Sequence, residues 1–526
     1  MPARLAVGRD VAVTAHHLAT DCALQILDSG GNAVDAAVAA NAVLAVVAPE
    51  TCGVGGDLFA LVHEPGSTIP SALNASGRAG SGADASALRR KGLDDLPLRS
   101  PHTITVPGCI DGWAALLDRF GTRTLGEALG PSVEAAKNGF AVSPELENAL
   151  QRMKPTMITQ GSAPDLYPSG RVPAAGEVLS RPLLAKTLDA VANDGRHAFY
   201  CSDVATEISR LTEGCISAED LETNSADWID PLGLTVGERT GWTIPPNSQG
   251  YLALGAWWIF DALGPPRDPH DPQFHHAAIE AYRAIAWDRD ELVADADHAP
   301  LSPDALLEAS RLAARANSIR SDRPTPWPDP GPTDGGTTYL TVLDASGLGI
   351  SLIQSNFHGV GTGLSAGTTG VWLHNRGAGF NLMEGHANEL APGKRPMHTL
   401  SPTSWTRGDR LELLLGTRGG HQQPQLLLQA LAALFHANLT PAEAQGLPRW
   451  TTSEWKPATR SRILVEDGFE AASALSAMGH DVDPEPKGRQ GGWGPISLIR
   501  VGDDGMATGA ADPRVSTSSA RSRKST

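Results

Sequence analysis

The sequence predicts an α/β protein, and three features of the chain support this prediction. Its 526 residues are enough for one large α/β core or for two to three ordinary domains. Near the N-terminus, apolar residues recur at helical spacing. In the C-terminal half, β-rich segments at residues 339–344 and 349–355 flank the connection Ala345-Ser346-Gly347, which is typical of a β-hairpin.

The N-terminal region predicts two consecutive helices. Residues 16–27 have apolar side chains on one helical face, and Gly30-Gly31 supplies the left-handed stop expected after a helix. Residues 33–47 are apolar on every face, with Asp35 and Asn41 as the polar interruptions. This second pattern predicts a helix that is buried on all sides in a large core.

A glycine-rich turn at residues 52–59 leads into a predicted strand at residues 60–62. Nucleotide-binding loops have the opposite order, since they follow a strand and open a helix. We therefore expect these glycines to allow close backbone packing near the active site rather than phosphate binding.

The rest of the chain divides at a segment rich in proline and glycine. Residues 1–322 form a predicted large region, within which residues 116–312 indicate mostly helices. Residues 323–336 are too rich in proline and glycine to form a helix or an internal strand, which predicts a linker. A small region follows at 337–515, and residues 516–526 predict a disordered tail because they are serine-rich and basic.

Charge and cysteine usage narrow the class of ligand. The chain has 42 basic and 59 acidic residues, a net charge of -17, which disfavours nucleic acids and anionic membranes and favours a small-molecule substrate. Its five cysteines have no CxxC spacing, which disfavours a zinc site and a disulfide framework. No signal-peptide pattern or membrane span is evident, so we expect a cytoplasmic protein.

The sequence Asp334-Gly335-Gly336-Thr337 predicts a nucleophile hidden inside a precursor. If the Gly336–Thr337 peptide bond breaks, Thr337 becomes an N-terminus that carries both a hydroxyl and an amine able to activate it. The new N-terminus would also start the first strand of the predicted hairpin. A nucleophile at the start of a sheet strand is the geometry of N-terminal-nucleophile hydrolases.

Five blocks of sequence, in order along the chain, resemble the γ-glutamyltransferase family. They are GGNAVDAAVA at residues 30–39, GVGGD at 53–57, VPGCIDGW at 106–113, PGKRP at 392–396 and GTRGG at 416–420. The resemblance implies a four-layer αββα sandwich. It also implies a precursor that cleaves itself into a large subunit ending at Gly336 and a small subunit beginning at Thr337, with no metal or organic cofactor.

The resemblance also implies roles for individual residues. Thr337 would be the catalytic nucleophile, and the backbone N–H groups of Gly419 and Gly420 would stabilise the tetrahedral oxyanion. Ser355 occupies the position of a hydroxyl residue that hydrogen-bonds the nucleophile. Without the resemblance, Gly419-Gly420 is an ordinary turn and Ser355 a plain strand residue.

Three positions depart from the family pattern for binding a γ-glutamyl group. Gly379 stands where the family has the acid that binds the substrate ammonium, and His398-Thr399 replaces a serine pair that contacts the carboxylate. Arg78 lies about two positions from the family's carboxylate-binding arginine. Because a buried unpaired ammonium would cost several kcal/mol, these changes argue against a γ-glutamyl donor.

Arg376, with Arg78, would instead bind a compact carboxylate beside the reacting carbonyl. The segments around Asn356 and Asn375-Arg376 resemble the subgroup of oxamate amidohydrolases and cephalosporin-acylase-like proteins. The predicted substrate-binding residues are therefore Arg78, Asn375, Arg376, His398 and Thr399. The alternative for Arg376 is a surface arginine in a salt bridge.

The sequence thus predicts a self-processing threonine hydrolase that cleaves an amide or oxalyl-type bond of a small carboxylated substrate through an acyl-threonine ester. Three alternatives stay open: a true γ-glutamyltransferase or glutathione hydrolase, a homologue that cuts a C–C bond to release an oxalyl group, and a non-catalytic binding relative. Whether the processed heterodimer associates further is also open.

Overall fold

The fold is built on two seven-stranded antiparallel sheets that lie face to face. The computed structural model describes residues 4–327, 336–453, 462–484 and 493–523. One sheet has the strand order β1-β18-β17-β13-β12-β9-β8 and the other β19-β2-β10-β11-β3-β4-β7. The strands are β1 Arg4–Gly8, β2 Val11–Thr14, β3 Asp57–His63, β4 Ser71–Ala75, β5 Phe140–Ala141, β6 Val178–Leu179, β7 Asp227–Ile229, β8 Leu232–Val236, β9 Arg239–Thr243, β10 Gly336–Leu343, β11 Gly349–Phe357, β12 Thr403–Arg407, β13 Arg410–Thr417, β14 Trp450–Ser453, β15 Arg462–Val465, β16 Val482–Pro484, β17 Ile496–Val501, β18 Ala507–Ala511 and β19 Ser519–Ser522.

Helices cover the outer face of each sheet. The α-helices of the described residues are α1 His17–Asp28, α2 Ala33–Val47, α3 Ala85–Arg90, α4 Cys109–Phe120, α5 Leu125–Asn138, α6 Pro144–Met157, α7 Pro182–Asp194, α8 His197–Tyr200, α9 Asp203–Leu211, α10 Ala218–Thr223, α11 Tyr251–Leu263, α12 Pro272–Ala286, α13 Arg289–Leu292, α14 Pro303–Leu306, α15 Ala309–Ser318, α16 Gln423–Leu431, α17 Pro441–Gly446 and α18 Ala472–Ala477. Among the described residues, no helix combines the length and the apolar character needed to cross a lipid bilayer.

The four layers confirm the predicted αββα sandwich. Helices α1, α2 and α4 pack on the sheet that contains β10, and α11 and α16 pack on the sheet that contains β13. Between the sheets lies an apolar layer in which a Cβ at Gly416 would stand 2.2 Å from the Tyr339 ring. The two sheets are therefore closely packed where β10 crosses β13.

Helix α2 confirms the prediction of a helix buried on all sides. Asn32 caps its N-terminus together with Asp35, and every residue from Ala33 to Val47 is buried. Its two polar residues have partners, since Asn41 accepts a hydrogen bond of 2.8 Å from Trp113 Nε1 and Asp35 accepts from the Thr122 backbone. These hydrogen bonds offset part of the cost of burying a helix with two polar side chains.

The large and small regions are not separate domains. The hairpin of β10 and β11 confirms the sequence prediction, and it lies between β2 and β3 of the large region. In the other sheet, β12 pairs with β9 across the same division. Both sheets are therefore completed only when the two regions fold together.

Two sequence predictions need correction. Within residues 516–526, those up to 523 are ordered: β19 adds to β2 through pairs such as Ala520 with Val13, because an edge strand needs backbone partners rather than an apolar sequence. Residues 524–526 lie outside the described part. The stretch 116–312 is mostly helical as predicted, but it also contains the strands β5 to β9, which the sequence interpretation did not include.

The first part of the proline-rich segment packs against α12. The Thr325 backbone N–H donates to Glu280 at 2.7 Å, and Trp327 stacks on Trp287 with ring centroids 6.5 Å apart. Residues 328–335, which include Asp334 and Gly335 of the predicted cleavage sequence, lie outside the described residues.

Candidate active site

The structure brings Thr337, Ser355 and Gly336 into one hydrogen-bonded group at the start of the hairpin. Thr337 is 1% exposed, and its Oγ1 donates to Ser355 Oγ at 3.2 Å. The Ser355 hydroxyl in turn donates to the Gly336 carbonyl oxygen. The Phe357 backbone N–H donates to Ser355 Oγ at 2.7 Å. Ser355 thus links the predicted nucleophile to the carbonyl of the predicted scissile bond.

A β-bulge and close packing produce this arrangement. Gly336 pairs with Phe357 and Thr338 with Gln354, so the register shifts at Thr337. A Cβ at Gly336 would lie 2.6 Å from the Gly359 nitrogen and 3.0 Å from the Glu50 carbonyl oxygen, which leaves no room for a side chain. Bulges commonly re-aim a side chain in this way beside active sites.

The predicted oxyanion glycines lie at the end of β13. Gly419 and Gly420 have φ of +136° and +56°, values that favour glycine. Arg418, directly before them, lines the same small cavity as Thr337. The Gly420 carbonyl accepts a hydrogen bond of 3.1 Å from Gln249 Nε2, which also donates to the Thr399 carbonyl at 3.2 Å.

A second group, fully buried, surrounds the carboxylate of Asp57. Its Oδ2 lies 3.1 Å from His398 Nε2, 3.2 Å from His374 Nδ1 and 3.6 Å from Arg376 Nε. Its Oδ1 accepts from the Gly77 backbone N–H at 3.0 Å. One carboxylate therefore holds three basic side chains from distant parts of the sequence.

The pKa shifts follow from this packing. Burial alone would raise the pKa of Asp57, but His374 and His398 outweigh burial and hold it well below its usual value. Burial and the neighbouring Arg376 lower the pKa of His398 to about 3, so this imidazole is neutral and donates through Nε2. Burial also lowers the pKa of Arg376 to about 9.

Arg376 is not a surface residue, so the alternative of an exposed salt-bridge arginine is wrong. It is 0% exposed, and its guanidinium carbon lies 4.0 Å from the centre of the Phe357 ring, a cation–π contact. Nη1 donates to Thr399 Oγ1 at 3.3 Å. Nη2 has no hydrogen-bond partner among the described residues.

Two other predicted substrate-binding residues are already engaged elsewhere. Asn375 accepts from the His358 backbone N–H at 3.1 Å and donates to the Leu98 carbonyl at 2.9 Å. The guanidinium of Arg78, whose side chain is 40% exposed, lies 3.4 Å from Asp227 and 3.6 Å from Asp295. The structure therefore places Thr399 and His398 around Arg376, and Arg78 in a separate ion-pair network.

The glycine-rich turn before β3 allows the group around Thr337 and the group around Asp57 to approach each other. A Cβ at Gly56 would lie 2.4 Å from the Ser355 carbonyl oxygen, and one at Gly55 would lie 2.3 Å from the Trp372 carbonyl oxygen. This agrees with the expectation of close backbone packing near the site. Within the described ranges, no cluster of three or more His, Cys, Asp or Glu side chains could hold a metal ion.

Sequence reasoning missed several polar residues of this region. Asp57 and His421 each directly follow a glycine pair of the recognised blocks, and that adjacency is a signal that could have found them. His374 directly precedes Asn375. Gln249 lies 150 residues from its partner Thr399 and has no local sequence signal.

Comparisons with known proteins agree with this geometry. The family model described as gamma-glutamyltranspeptidase matches residues 19–522. An oxamate amidohydrolase proenzyme from Klebsiella pneumoniae is 33% identical over 96% of this chain and 97% of its own. A glutathione hydrolase-like YwrD proenzyme from Bacillus subtilis is 32% identical over 96% and 97% of the two chains.

A solved structure shares the whole fold. The cephalosporin acylase from Bacillus halodurans has a TM-score of 0.91 and 30% identity, and the match covers 100% of this chain and 98% of the acylase. Together these matches show that the chain belongs to the gamma-glutamyltranspeptidase family, as a self-processing hydrolase.

Proposed function

We propose that Thr337 is the nucleophile of this hydrolase and that it is released by cleavage of the Gly336–Thr337 bond. The observation that carries the proposal is the hydrogen-bonded chain from Thr337 Oγ1 through Ser355 Oγ to the Gly336 carbonyl oxygen. The chain supports the proposal because the hydroxyl that would attack is hydrogen-bonded to a hydroxyl that donates to the carbonyl oxygen of the same peptide bond.

In the cleavage step, Thr337 Oγ attacks the Gly336 carbonyl carbon, and the Ser355 hydroxyl stabilises the oxygen on which negative charge develops. The C–N bond breaks and the proton lost by the Thr337 hydroxyl ends on the nitrogen of Thr337, which leaves an ester between Gly336 and Thr337 Oγ. Water hydrolyses this ester and yields a carboxylate at Gly336 and a free Thr337.

The same hydroxyl then acts on substrate. The α-amine of Thr337, with a reference pKa of roughly 7.7–8.0, is partly neutral near physiological pH and can accept the hydroxyl proton. Thr337 Oγ attacks the substrate carbonyl carbon, and the backbone N–H groups of Gly419 and Gly420 stabilise the oxyanion. The C–N bond of the substrate then breaks, the leaving amine takes the proton from the α-ammonium, and an ester remains on Thr337 Oγ. Water releases the acyl group.

We infer that the substrate carries a carboxylate close to the amide that is cut. Arg376 supports this because its buried guanidinium has an Nη2 without a partner in the described part of the chain. A γ-glutamyl donor is disfavoured because no side chain fits at residue 379, where a Cβ would lie 2.4 Å from the Met397 carbonyl oxygen. The likeness to an oxamate amidohydrolase makes oxamate the first substrate to test.

Two measurements test the proposal. Edman sequencing of the purified protein should give a light fragment that begins at Thr337. Ammonia release from oxamate should exceed p-nitroaniline release from a γ-glutamyl anilide. A light fragment with another first residue, or faster turnover of the anilide, would contradict the proposed nucleophile or the proposed substrate class respectively.

A further inference from the structure

We propose that His421 binds the substrate carboxylate together with Arg376, and that the site thereby selects acyl groups whose carboxylate is attached directly to the reacting carbonyl. This inference rests on the proposed function and deepens it. His421 is outside the residues that sequence reasoning assigned to the site.

The first support is a set of buried polar atoms without partners. His421 is 7% exposed, and neither of its ring nitrogens has a hydrogen-bond partner among the residues described. The same holds for Nη2 of Arg376 and Oε1 of Gln249, both on residues that are 0% exposed. Because buried polar groups in folded proteins are almost always hydrogen-bonded, this set indicates a polar occupant.

The second support is a chain of contacts that joins His421 to Arg376. His421 directly follows Gly420, whose carbonyl oxygen accepts from Gln249 Nε2 at 3.1 Å. The same nitrogen donates to the Thr399 carbonyl at 3.2 Å, and Thr399 Oγ1 accepts from Arg376 Nη1 at 3.3 Å. Two residues that are 45 positions apart in the chain, 421 and 376, therefore border one polar region.

The chemistry of the two side chains is complementary. Burial and the positive charges of Arg289 and Arg376 lower the pKa of His421 well below its usual value, so the imidazole is neutral. It offers one N–H donor and adds no charge beside the guanidinium. Arg376 Nη2 would bind one carboxylate oxygen and the His421 N–H the other.

The position of His421 limits the length of the acyl group. Gly420, a proposed oxyanion donor, and His421 are consecutive residues with Cα atoms about 3.8 Å apart. A carboxylate held by His421 therefore lies close to the oxyanion. An oxalyl group meets this requirement, whereas a longer dicarboxylic acyl group places its carboxylate several bonds away.

The test is the binding of oxalate and succinate, measured by calorimetry on purified protein. We expect wild type to bind oxalate at least about tenfold more tightly than succinate, which corresponds to roughly 1.4 kcal/mol. His421→Leu should weaken oxalate binding by about 10- to 100-fold, the usual loss for a hydrogen bond to a charged group. His421→Gln, which keeps an N–H donor, should stay within a few-fold of wild type.

His63→Leu is the matched control, since His63 is 1% exposed and lies at the other end of β3 from Asp57. It should bind oxalate like wild type. Equal binding by wild type and His421→Leu would mean that the region holds only water and would overturn the inference. The inference would also be overturned if the wild-type protein bound no oxalate, or bound succinate more tightly than oxalate.

Failure of the proposed function can be distinguished from failure of the inference about His421. Protein that binds oxalate but does not release ammonia from oxamate contradicts the proposed reaction alone. A His421→Leu variant that hydrolyses oxamate as fast as wild type contradicts the inference alone.

Discussion

The two halves of the candidate site differ in chemistry and in origin. The nucleophile end, formed by Gly336, Thr337, Ser355 and the Phe357 N–H, uses hydroxyls and backbone groups from two neighbouring strands. The carboxylate end comprises Asp57, His374, Arg376 and His398, which are charged or titratable and come from three separate segments.

In the function that we propose, this difference separates the reaction from recognition of the substrate. Bond cleavage needs a hydroxyl placed against a carbonyl, which a hairpin can supply locally. Recognition of an anion needs a buried cation, and a buried cation needs a carboxylate such as Asp57 and further hydrogen bonds to offset desolvation. Phe357 joins the two ends, because its N–H binds Ser355 while its ring lies under Arg376.

Replacement of the nucleophile should have the largest effect. Thr337→Ala should stay a single chain of 55.0 kDa on a denaturing gel and lose hydrolysis by on the order of a millionfold, because both steps need the hydroxyl. Thr337→Ser keeps a hydroxyl and should still cleave. Normal cleavage of Thr337→Ala would show that the Thr337 hydroxyl is not the nucleophile of self-cleavage.

A change at the carboxylate end should leave cleavage intact and reduce turnover. Arg376→Leu keeps apolar contact with Phe357 but removes the cation, so kcat/KM for oxamate should fall about 100-fold or more. Arg376→Lys keeps the charge and should lose less. Gel analysis and steady-state kinetics on the same samples separate the effects. If Arg376→Leu lost self-cleavage to the same degree as turnover, the two ends of the site would not be independent.

Loss of the Ser355 hydroxyl should slow self-cleavage. Ser355→Ala removes the donor to the Gly336 carbonyl oxygen, and the cleavage rate should fall about 100-fold. Ser351, on the same strand, bonds the Tyr339 hydroxyl at 2.9 Å, so Ser351→Ala is the matched control and should cleave normally. The measurement is intact mass against time after synthesis, and identical rates for both variants would contradict the role of Ser355.

The smallest expected effect concerns Glu50, whose backbone packs against Gly336. Burial raises the pKa of Glu50 to about 7, so the folded protein holds its proton in a pH range where the unfolded chain has lost it. Its contribution to stability is therefore present below pH 4.5 and is lost as the pH rises to about 7.

Glu50→Gln removes this titration and should raise the thermal midpoint at pH 8 by about 1–3 °C relative to wild type, with a smaller change at pH 4.5. Glu64→Gln, at an exposed position, is the control. A midpoint difference that does not depend on pH would contradict the raised pKa of Glu50.

The sequence by itself determined the local structures of this protein. Helix α2, the β10–β11 hairpin and the glycine turn before β3 all depend on patterns within one short continuous segment, so periodicity and glycine placement could predict them. The Thr337–Ser355 contact was also within reach, because the two residues lie on one hairpin.

Only the tertiary structure decided how the carboxylate end is assembled. Asp57 meets His398 across 341 positions, and no pattern of the sequence reports such a contact. The structure likewise placed Arg78 with Asp227 rather than beside Arg376, and it ordered β19 by giving its backbone a partner in β2. Local propensity acts over a few residues, whereas the pairing of buried charges and strand edges depends on which distant segments the packed core brings together.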